Sequence, residues 1–233
     1  PATEQPCAWL ERHGMRVARI GVEVDGRARV EDARAAIDAA TALVTVMHSN
    51  NETGVLQPVV DFAVLAHAVG AILHTDAAQS AGKVPLKVRE LGVDLLSVAG
   101  HKLYAPKGVG ALYVRRGTPI APFVLGAGHE RGLRPGTENV AAIVGLGRAC
   151  EIAGSDMETV AARMAALRDD LWQRLAAAVP GVMLNGHRTL RLPNTLNVRF
   201  PRASGNAILE GAPAIAASTG SACHAGGESA PVV

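Results

Sequence analysis

The hydrophobic pattern predicts a series of short strands along the chain. Residues 42–47 (ALVTVM) form a continuous apolar run, as expected of a strand that is buried on both faces, and a polar segment, HSNNETG, follows it. The predicted strands cover residues 16–22, 42–47, 71–73, 94–98, 109–114, 195–200 and 214–218. Strands this short, separated by polar or glycine-rich segments, are typical of a sheet covered by helices.

Helical patterns fill the intervals between these strands. Pro58 and Gly70 bracket one helix, because proline favours the first helical turn and glycine the residue after the last. Thr137 is predicted to cap another helix, with Glu138 in its first turn. The predicted helices cover residues 1–14, 31–40, 58–69, 137–153, 156–179 and 206–210.

Strands that alternate with helices favour an α/β fold with a mainly parallel sheet. A domain boundary is expected near Gly154, between two predicted helices. Residues 1–154 then form a large domain that holds the parallel sheet. Residues 155–233 form a smaller C-terminal α+β domain.

Composition and charge exclude several classes of protein. Arginine and lysine total 23 against 21 acidic residues, for a net charge of +2, and only 3% of residues are aromatic. This balance argues against a nucleic-acid partner. No apolar run approaches the roughly 18 residues of a membrane helix, and the first residues lack a signal-peptide pattern. A nucleotide-binding domain is disfavoured, because no G-x-G-x-x-G follows a strand and there is no P-loop.

The three cysteines point to a reducing compartment. Cys7, Cys150 and Cys223 are too far apart in sequence to suggest a redox or zinc pair. Free thiols favour a cytoplasmic location. Cys7 and Cys150 lie in predicted helices and are expected to be buried, as free cysteines commonly are.

Polar side chains follow three of the predicted strands at the point where each strand ends. Asn51 follows the run at residues 42–47, Asp76 the next strand and Lys102 the third. Because ligands of parallel α/β sheets bind beyond the carboxyl ends of the strands, these side chains are expected to share one binding rim.

An aspartate and a lysine on one rim suit pyridoxal 5'-phosphate. This cofactor needs an amine for its aldehyde and an anion beside its ring nitrogen. Lys102 suits the first role and Asp76 the second. Taken alone, Asp76 could equally be a turn residue and Lys102 a solvated surface charge. Lys107 is the rival lysine, although it lies further from the strand end.

The remaining groups of the cofactor have candidate partners nearby. Asn51 and Gln79 could bind its phenolate oxygen. His101, Thr137 and backbone amides at a helix start could bind its phosphate. The sequence therefore predicts a complete cofactor-binding site around residues 74–114.

Six blocks of sequence carry a resemblance to a known family. They are HSNNETG (48–54), HTDAAQSAGK (74–83), GHKLYAPKGVGALYVRR (100–116), GAGHERGLRPGTENV (126–140), LPNTLNVRF (192–200) and STGSACHAG (218–226). In this order they resemble the NifS-like cysteine desulfurases and selenocysteine lyases, class V members of the fold-type I pyridoxal phosphate enzymes. The resemblance covers nearly the whole chain and implies that fold.

The resemblance assigns a role to each candidate around the cofactor ring. Lys102 matches the lysine that forms the Schiff base, and Asp76 matches the partner of the pyridine nitrogen. Ala78 matches the small residue packed on one face of the ring. Asn51 and Gln79 match the phenolate contacts.

The resemblance also implies a homodimer and a catalytic thiol. His101 matches a phosphate ligand, and Thr137 matches a phosphate contact that crosses to the site of the other subunit. Cys223 matches the nucleophile of a mobile loop, and the glycines beside it are compatible with movement. His224 could favour the thiolate form of Cys223.

The chain departs from the family pattern at three points. Ala99 occupies a position where desulfurases commonly carry a phosphate-binding serine. The histidine that stacks on the cofactor ring belongs upstream of Pro1, and the arginine that clamps the substrate carboxylate belongs downstream of Val233. The sequence is therefore expected to be an internal fragment, with an incomplete large domain and an incomplete small domain.

The leading functional hypothesis is an L-cysteine desulfurase that forms L-alanine and leaves the sulfur on an enzyme cysteine as a persulfide. A sulfur-acceptor protein would then receive it. One alternative is a selenocysteine lyase acting on L-selenocysteine. Another, of a different class, is an inactive scaffold that only dimerises or docks a sulfur carrier. No metal, nucleic-acid or membrane partner is expected.

Overall fold

A computed structural model describes residues 2–220. Its centre is a four-stranded sheet in the order β1-β2-β3-β4, formed by β1 (Leu43–Met47), β2 (Ile72–Asp76), β3 (Leu95–Ala99) and β4 (Gly110–Val114). The first three strands are parallel, whereas β4 runs antiparallel to β3. The predicted α/β fold with a mainly parallel sheet is confirmed.

Seven α-helices accompany the strands in residues 2–220. They are α1 (Glu4–Arg12), α2 (Val30–Ala36), α3 (Val59–Ala68), α4 (Val88–Leu91), α5 (Val140–Ser155), α6 (Met157–Ala178) and α7 (Gly205–Glu210). Two short 3-10 helices lie at Gly100–Leu103 and Glu130–Gly132. Within the same residues, no helix combines the length and the apolar character needed to cross a membrane.

The main core lies between α3 and the sheet. Phe62 and Ala66 of α3 are buried against Leu73 of β2 and Leu96 of β3, and Val93 is fully buried beside them. The pattern of α3 places its apolar residues so that one face covers the sheet. This packing fixes β2 and β3 side by side, and therefore fixes the two chain segments that leave their carboxyl ends.

A second, smaller core joins α5 to the segment after β3. Leu146 of α5 packs with Leu103, Ala81 and Ala105, all of which are buried. Leu103 belongs to the 3-10 helix Gly100–Leu103, which contains His101 and Lys102. The buried side chain of Leu103 therefore anchors the turn that carries Lys102.

The C-terminal part carries a small antiparallel sheet of β5 (Met183–Leu184) and β6 (Val198–Arg199), with α7 after it. The loop between these two strands contacts the segment after β1. Val55 and Arg191 form an isolated antiparallel bridge, and the Leu192 amide donates to the Gly54 carbonyl oxygen at 2.8 Å. The two parts of the chain are therefore tied together beside the Asn51 loop.

Several predicted elements differ from the structure. Residues 16–22 form no strand beyond the single bridge of Val22 with Ala28, and residues 214–218 are also irregular. The strand predicted at 195–200 shortens to β6. α2 ends at Ala36 rather than near residue 40. Residues 16–22 and 214–218 have no strand beside them within residues 2–220, so alternation alone did not produce a ladder there.

Three local predictions were wrong for identifiable reasons. Asn139 rather than Thr137 caps α5, because its Oδ1 accepts a hydrogen bond from the Ala142 amide at 3.2 Å. Within residues 2–220, β1 lies at the edge of the sheet, and its Leu43 is exposed, so the strand is not buried on both faces. Cys150 is exposed and Cys7 is half-buried; α5 buries only Ala142 and Leu146 nearer its start, and α1 buries none of its residues.

Candidate functional site

Asp76 ends the central strand β2 and faces two neighbours. It pairs with Met47 of β1 on one side and with Ser97 of β3 on the other. Its Oδ1 accepts a hydrogen bond from the Ala78 amide at 2.8 Å, which fixes the carboxylate against the turn that follows. The aspartate is half-buried at the carboxyl edge of the sheet, where the sequence predicted it.

His101 and Lys102 lie in the turn that directly follows the neighbouring strand, β3. The 3-10 helix Gly100–Leu103 begins directly after β3, with both side chains exposed between the buried Gly100 and Leu103. Gly100 has no room for a side chain, because a Cβ there would lie 2.6 Å from the Val109 carbonyl oxygen. β2 and β3 are adjacent, so Asp76 and the Lys102 turn leave the same edge of the sheet.

The loop that carries Asn51 is shaped by the asparagine before it. Asn50 Oδ1 accepts hydrogen bonds from the Glu52 amide at 2.9 Å, the Thr53 amide at 2.8 Å and Thr53 Oγ1 at 3.1 Å. This is an Asx turn, in which a side chain replaces a backbone acceptor. Asn50 is buried while Asn51 is exposed at the crest of the turn.

A buried polar cluster joins the Asn51 loop to the turn after β2. His48 Nδ1 and Ser80 Oγ share a hydrogen bond of 2.8 Å, and Ser49 Oγ lies 2.6 Å from Ser80 Oγ. All three residues are buried, and burial lowers the pKa of His48. The cluster couples the loop of Asn51 to the turn of Ala78 and Gln79.

His74 occupies the same face of β2 as Asp76. Its Nδ1 bonds Thr45 Oγ1 at 2.8 Å and its Nε2 bonds Ser97 Oγ at 2.9 Å, so the ring spans three strands. Burial lowers the pKa of His74, and the charge of Asp76 opposes that shift. The lowered pKa favours the neutral form of the His74 ring beside the Asp76 carboxylate.

Lys83 brings a second amine toward Lys102. Lys83 Nζ donates to the Gln79 carbonyl oxygen at 2.8 Å, closing the turn that carries Gln79. Burial lowers the pKa of Lys83, and the positive charge of Lys102 lowers it further. The two lysines are therefore close enough to interact electrostatically.

Three of the candidates are not part of the contacts described above. Thr137 is exposed in the segment before α5, and within residues 2–220 its side chain makes no hydrogen bond to another candidate. Cys223 lies outside the described residues. Lys107 is exposed in the turn before β4, whose first residue Gly110 pairs with Ala99 at the end of β3.

The residues on this edge fit pyridoxal phosphate. Asp76 uses Oδ1 for the Ala78 amide, and within residues 2–220 no hydrogen bond or ion pair engages Oδ2. Lys102 is exposed and forms no ion pair within that part of the chain. An anion, an exposed amine and the side chains of Asn51 and His101 are the donor set that this cofactor requires.

Sequence reasoning missed the groups that support this edge. His74, the buried cluster of His48, Ser49 and Ser80, and Lys83 all lie within the blocks HSNNETG and HTDAAQSAGK. One available signal was the period of two in a strand, which places His74 and Asp76 on the same face. The serine cluster had no such signal, because its partners are 31 and 32 residues apart.

Comparisons with known proteins agree with this picture. The sequence pattern of the family described as aminotransferase class-V matches residues 1–230. A cysteine desulfurase of Gluconacetobacter diazotrophicus is 47% identical over 229 residues, which cover 97% of this chain and 57% of that protein. The chain therefore spans little more than half the length of this curated relative.

Solved structures give the same result. A NifS-like protein superposes with a TM-score of 0.85 at 38% identity, covering 90% of this chain and 58% of the other. A structure described as SspA in complex with cysteine gives a TM-score of 0.78 at 32% identity, covering 95% and 61% of the two chains. These matches confirm the resemblance to the NifS-like proteins and the predicted fold type.

Proposed function

The chain belongs to the class-V aminotransferase family, and on this premise we propose that it is part of a pyridoxal-phosphate-dependent cysteine desulfurase. The observation that carries the proposal is the placement of Asp76 and Lys102 on adjacent strand ends. The 47% identity to a cysteine desulfurase supports it, and so does a solved relative described as a complex with cysteine.

Each residue of the edge has a proposed role in holding the cofactor. The Lys102 amine would hold its aldehyde carbon covalently, and Asp76 Oδ2 would accept a hydrogen bond from the protonated pyridine nitrogen. Asn51 and Gln79 bind the phenolate oxygen, and Ala78 leaves room for the ring. His101 binds the phosphate. When bound, the cofactor supplies an electron sink for negative charge at the substrate α-carbon.

Lys102 and Cys223 have separate proposed roles in the reaction. Once a substrate is bound, Lys102 would move the proton of the substrate α-carbon as a general base. The Cys223 thiolate attacks the substrate sulfur, so that an S–S bond forms as the C–S bond breaks. The β-carbon takes up a proton, the α-carbon recovers its proton from Lys102, and the products would be L-alanine and a persulfide on Cys223. A sulfur-acceptor protein then receives the outer sulfur.

We further propose that the protein is a cytoplasmic homodimer with two domains in each subunit. Thr137 is exposed before α5, which suits a contact with the phosphate in the site of a second copy, and hence a homodimer. Residues 1–154 form the large domain and residues 155–233 the small one, with α5 and α6 meeting at Asp156. The free thiols of Cys7 and Cys150 suit the cytoplasm.

Cofactor attachment provides the first test. The purified chain, incubated with pyridoxal phosphate, is expected to form a yellow complex that borohydride fixes covalently. Lys102→Ala should lose this fixation, whereas Lys107→Ala should retain it. Retention by Lys102→Ala would assign the attachment to another lysine. A colourless wild-type protein that still dimerises would support the scaffold hypothesis instead.

Turnover separates the two enzymatic hypotheses. With L-cysteine the protein is expected to release alanine and to carry persulfide, and Cys223→Ala should abolish both. If Cys223→Ala instead retains activity on L-selenocysteine while it loses activity on L-cysteine, the selenocysteine lyase hypothesis gains support. Equal loss on the two substrates favours the desulfurase.

A further inference from the structure

A cavity with a cationic lining lies beside α6. Its volume is about 390 Å³, within the range of small-molecule sites. The walls come from α6 and from two loops, residues 83–85 after the Gln79 turn and residues 189–193 before β6. Among the described residues, none of those proposed to contact the cofactor lines it.

Arg191 is the buried charge of this cavity. Its exposed fraction is 4%, and its Nη2 donates to the Thr53 carbonyl oxygen at 2.7 Å. Its Nε and Nη1 are buried and have no hydrogen-bond partner in the structure of residues 2–220. A buried guanidinium that lacks partners for two of its nitrogens is costly, and an anion close to Arg191 would offset part of that cost.

Two further cations line the same cavity. The side chain of Arg168 on α6 is 11% exposed, and its Nη1 donates to the Leu192 carbonyl oxygen at 2.8 Å. Lys83 contributes its amine from the opposite wall. Burial lowers the pKa of Arg191, and the charge of Arg168 lowers it further while Asp169 opposes this. An anion in the cavity would relieve that repulsion.

The charged and apolar residues that line the cavity indicate which kind of anion it suits. Among residues 2–220, Glu158, which is exposed, is the single acidic residue on the lining, against the three cations. The other walls are mainly apolar. They include Val84, Pro85, Met157, Ala161, Ala165 and Pro193. A strongly hydrated inorganic ion would leave these walls unused, whereas a carboxylate with a short alkyl chain matches both surfaces.

We propose that this cavity binds a small monocarboxylate, with its carboxylate on Arg191 and Lys83 and its alkyl chain against the alanines of α6. Arg191 supplies the planar fork that suits a carboxylate, and Lys83 a second donor. Because Lys83 Nζ also bonds the Gln79 carbonyl, an occupant would contact the turn beside the cofactor edge. The site itself does not depend on the proposed function.

Calorimetric titration with butyrate at constant ionic strength tests the proposal. Saturable binding is expected for the wild type, with affinity reduced about tenfold or more in Lys83→Gln and in Arg191→Lys, the cost of about one charged hydrogen bond. Arg191→Lys keeps the charge but loses the fork. Arg163→Gln is the matched control, since Arg163 is an exposed cation of α6 outside the cavity.

Each result either supports the site or overturns it. Loss of butyrate binding in Lys83→Gln, with normal binding in Arg163→Gln and an unchanged circular dichroism spectrum in both, supports the site. Equal affinity in the wild type and Lys83→Gln overturns it, as does the absence of saturable binding to wild type. Sulfate that binds more tightly than butyrate under the same conditions overturns the assignment to a carboxylate.

Discussion

Ser49 Oγ and Ser80 Oγ lie 2.6 Å apart in the interior, between the loop after β1 and the turn after β2. His48 completes the cluster through its 2.8 Å hydrogen bond to Ser80. Both segments carry residues proposed to contact the phenolate oxygen of the cofactor, Asn51 in one and Gln79 in the other. The cluster therefore holds two parts of one site at a fixed separation, and the His48 amide also donates to the Asp76 carbonyl oxygen at 2.7 Å.

Removal of the central hydroxyl should loosen this connection. Ser80→Ala leaves His48 and Ser49 buried without their shared partner, and is expected to lower the free energy of unfolding by about 1–3 kcal/mol. Urea denaturation followed by circular dichroism measures this loss. Ser155→Ala is the control, because Ser155 lies at the exposed end of α5. Equal stabilities of the two variants would contradict the role assigned to the cluster.

Cofactor affinity tests the proposed role of Asp76. Asp76→Asn keeps an oxygen for the Ala78 amide but removes the negative charge, so affinity for pyridoxal phosphate should fall about tenfold or more. Equilibrium dialysis measures this without reference to turnover. Asp61→Asn on the exposed side of α3 should bind like the wild type. Unchanged affinity in Asp76→Asn would remove the aspartate from the site.

The edge of the sheet could be predicted from sequence because each of its residues follows a strand. Continuous apolar runs predicted β1, β2 and β3, and the residues after them fall where parallel strands end. The supporting groups could not be predicted in the same way. Lys83 reaches the Gln79 carbonyl only because residues 77–84 form consecutive tight turns, and the Ser49–Ser80 contact depends on how two loops meet.

The C-terminal part was predicted less well for a physical reason. Its strands are two residues long and pair only with each other, so propensity receives little support from neighbouring strands. Its attachment to the large sheet instead runs through Arg191, whose guanidinium bonds a carbonyl 138 residues earlier in the sequence. The periodicity of hydrophobic residues cannot predict a contact between residues so far apart in the sequence.

Gly82 is expected to be essential for the position of the lysine turn. A Cβ at Gly82 would collide with Leu103 Cδ2 and lie 3.0 Å from the Ala153 side chain, and its φ of +72° is unfavourable for other residues. Gly82→Ala should therefore lose about 1–2 kcal/mol from backbone strain and a further 1–3 kcal/mol or so from overpacking.

A second glycine separates these two effects. Gly70 has a similar φ of +77°, but a Cβ added there would meet no atom of the described residues within 4 Å beyond its chain neighbours, so Gly70→Ala should show the backbone cost alone. Urea denaturation of both variants gives the difference. Weaker borohydride fixation of pyridoxal phosphate in Gly82→Ala than in Gly70→Ala would show that the strain reaches Lys102. Equal loss of stability in the two would exclude the steric part.

Asp94 links the opposite end of the sheet and should make stability depend on pH. Its Oδ2 accepts hydrogen bonds from the Leu73 amide and from His67 Nε2, each at 2.8 Å, and Arg115 Nη1 lies 3.3 Å from Oδ1. Burial raises the pKa of Asp94, but these hydrogen bonds and the charges of His67 and Arg115 outweigh it, so the pKa lies below its ordinary value of 3.8.

The lowered pKa of Asp94 determines how the stability of the protein changes with pH. The folded state favours the ionised carboxylate of Asp94 more than the unfolded state does. The contribution of Asp94 to the free energy of unfolding is therefore fully present above the ordinary pKa. It disappears as the pH falls through the lower pKa of the folded state. Asp94→Asn should be about 1–3 kcal/mol less stable than the wild type at neutral pH. The difference should narrow below about pH 4, as the wild-type carboxylate takes up its proton. Urea denaturation between about pH 7 and pH 3 measures both curves, with Asp61→Asn as the exposed control. A difference that stays constant over this range would mean that the charge of Asp94 contributes nothing to stability.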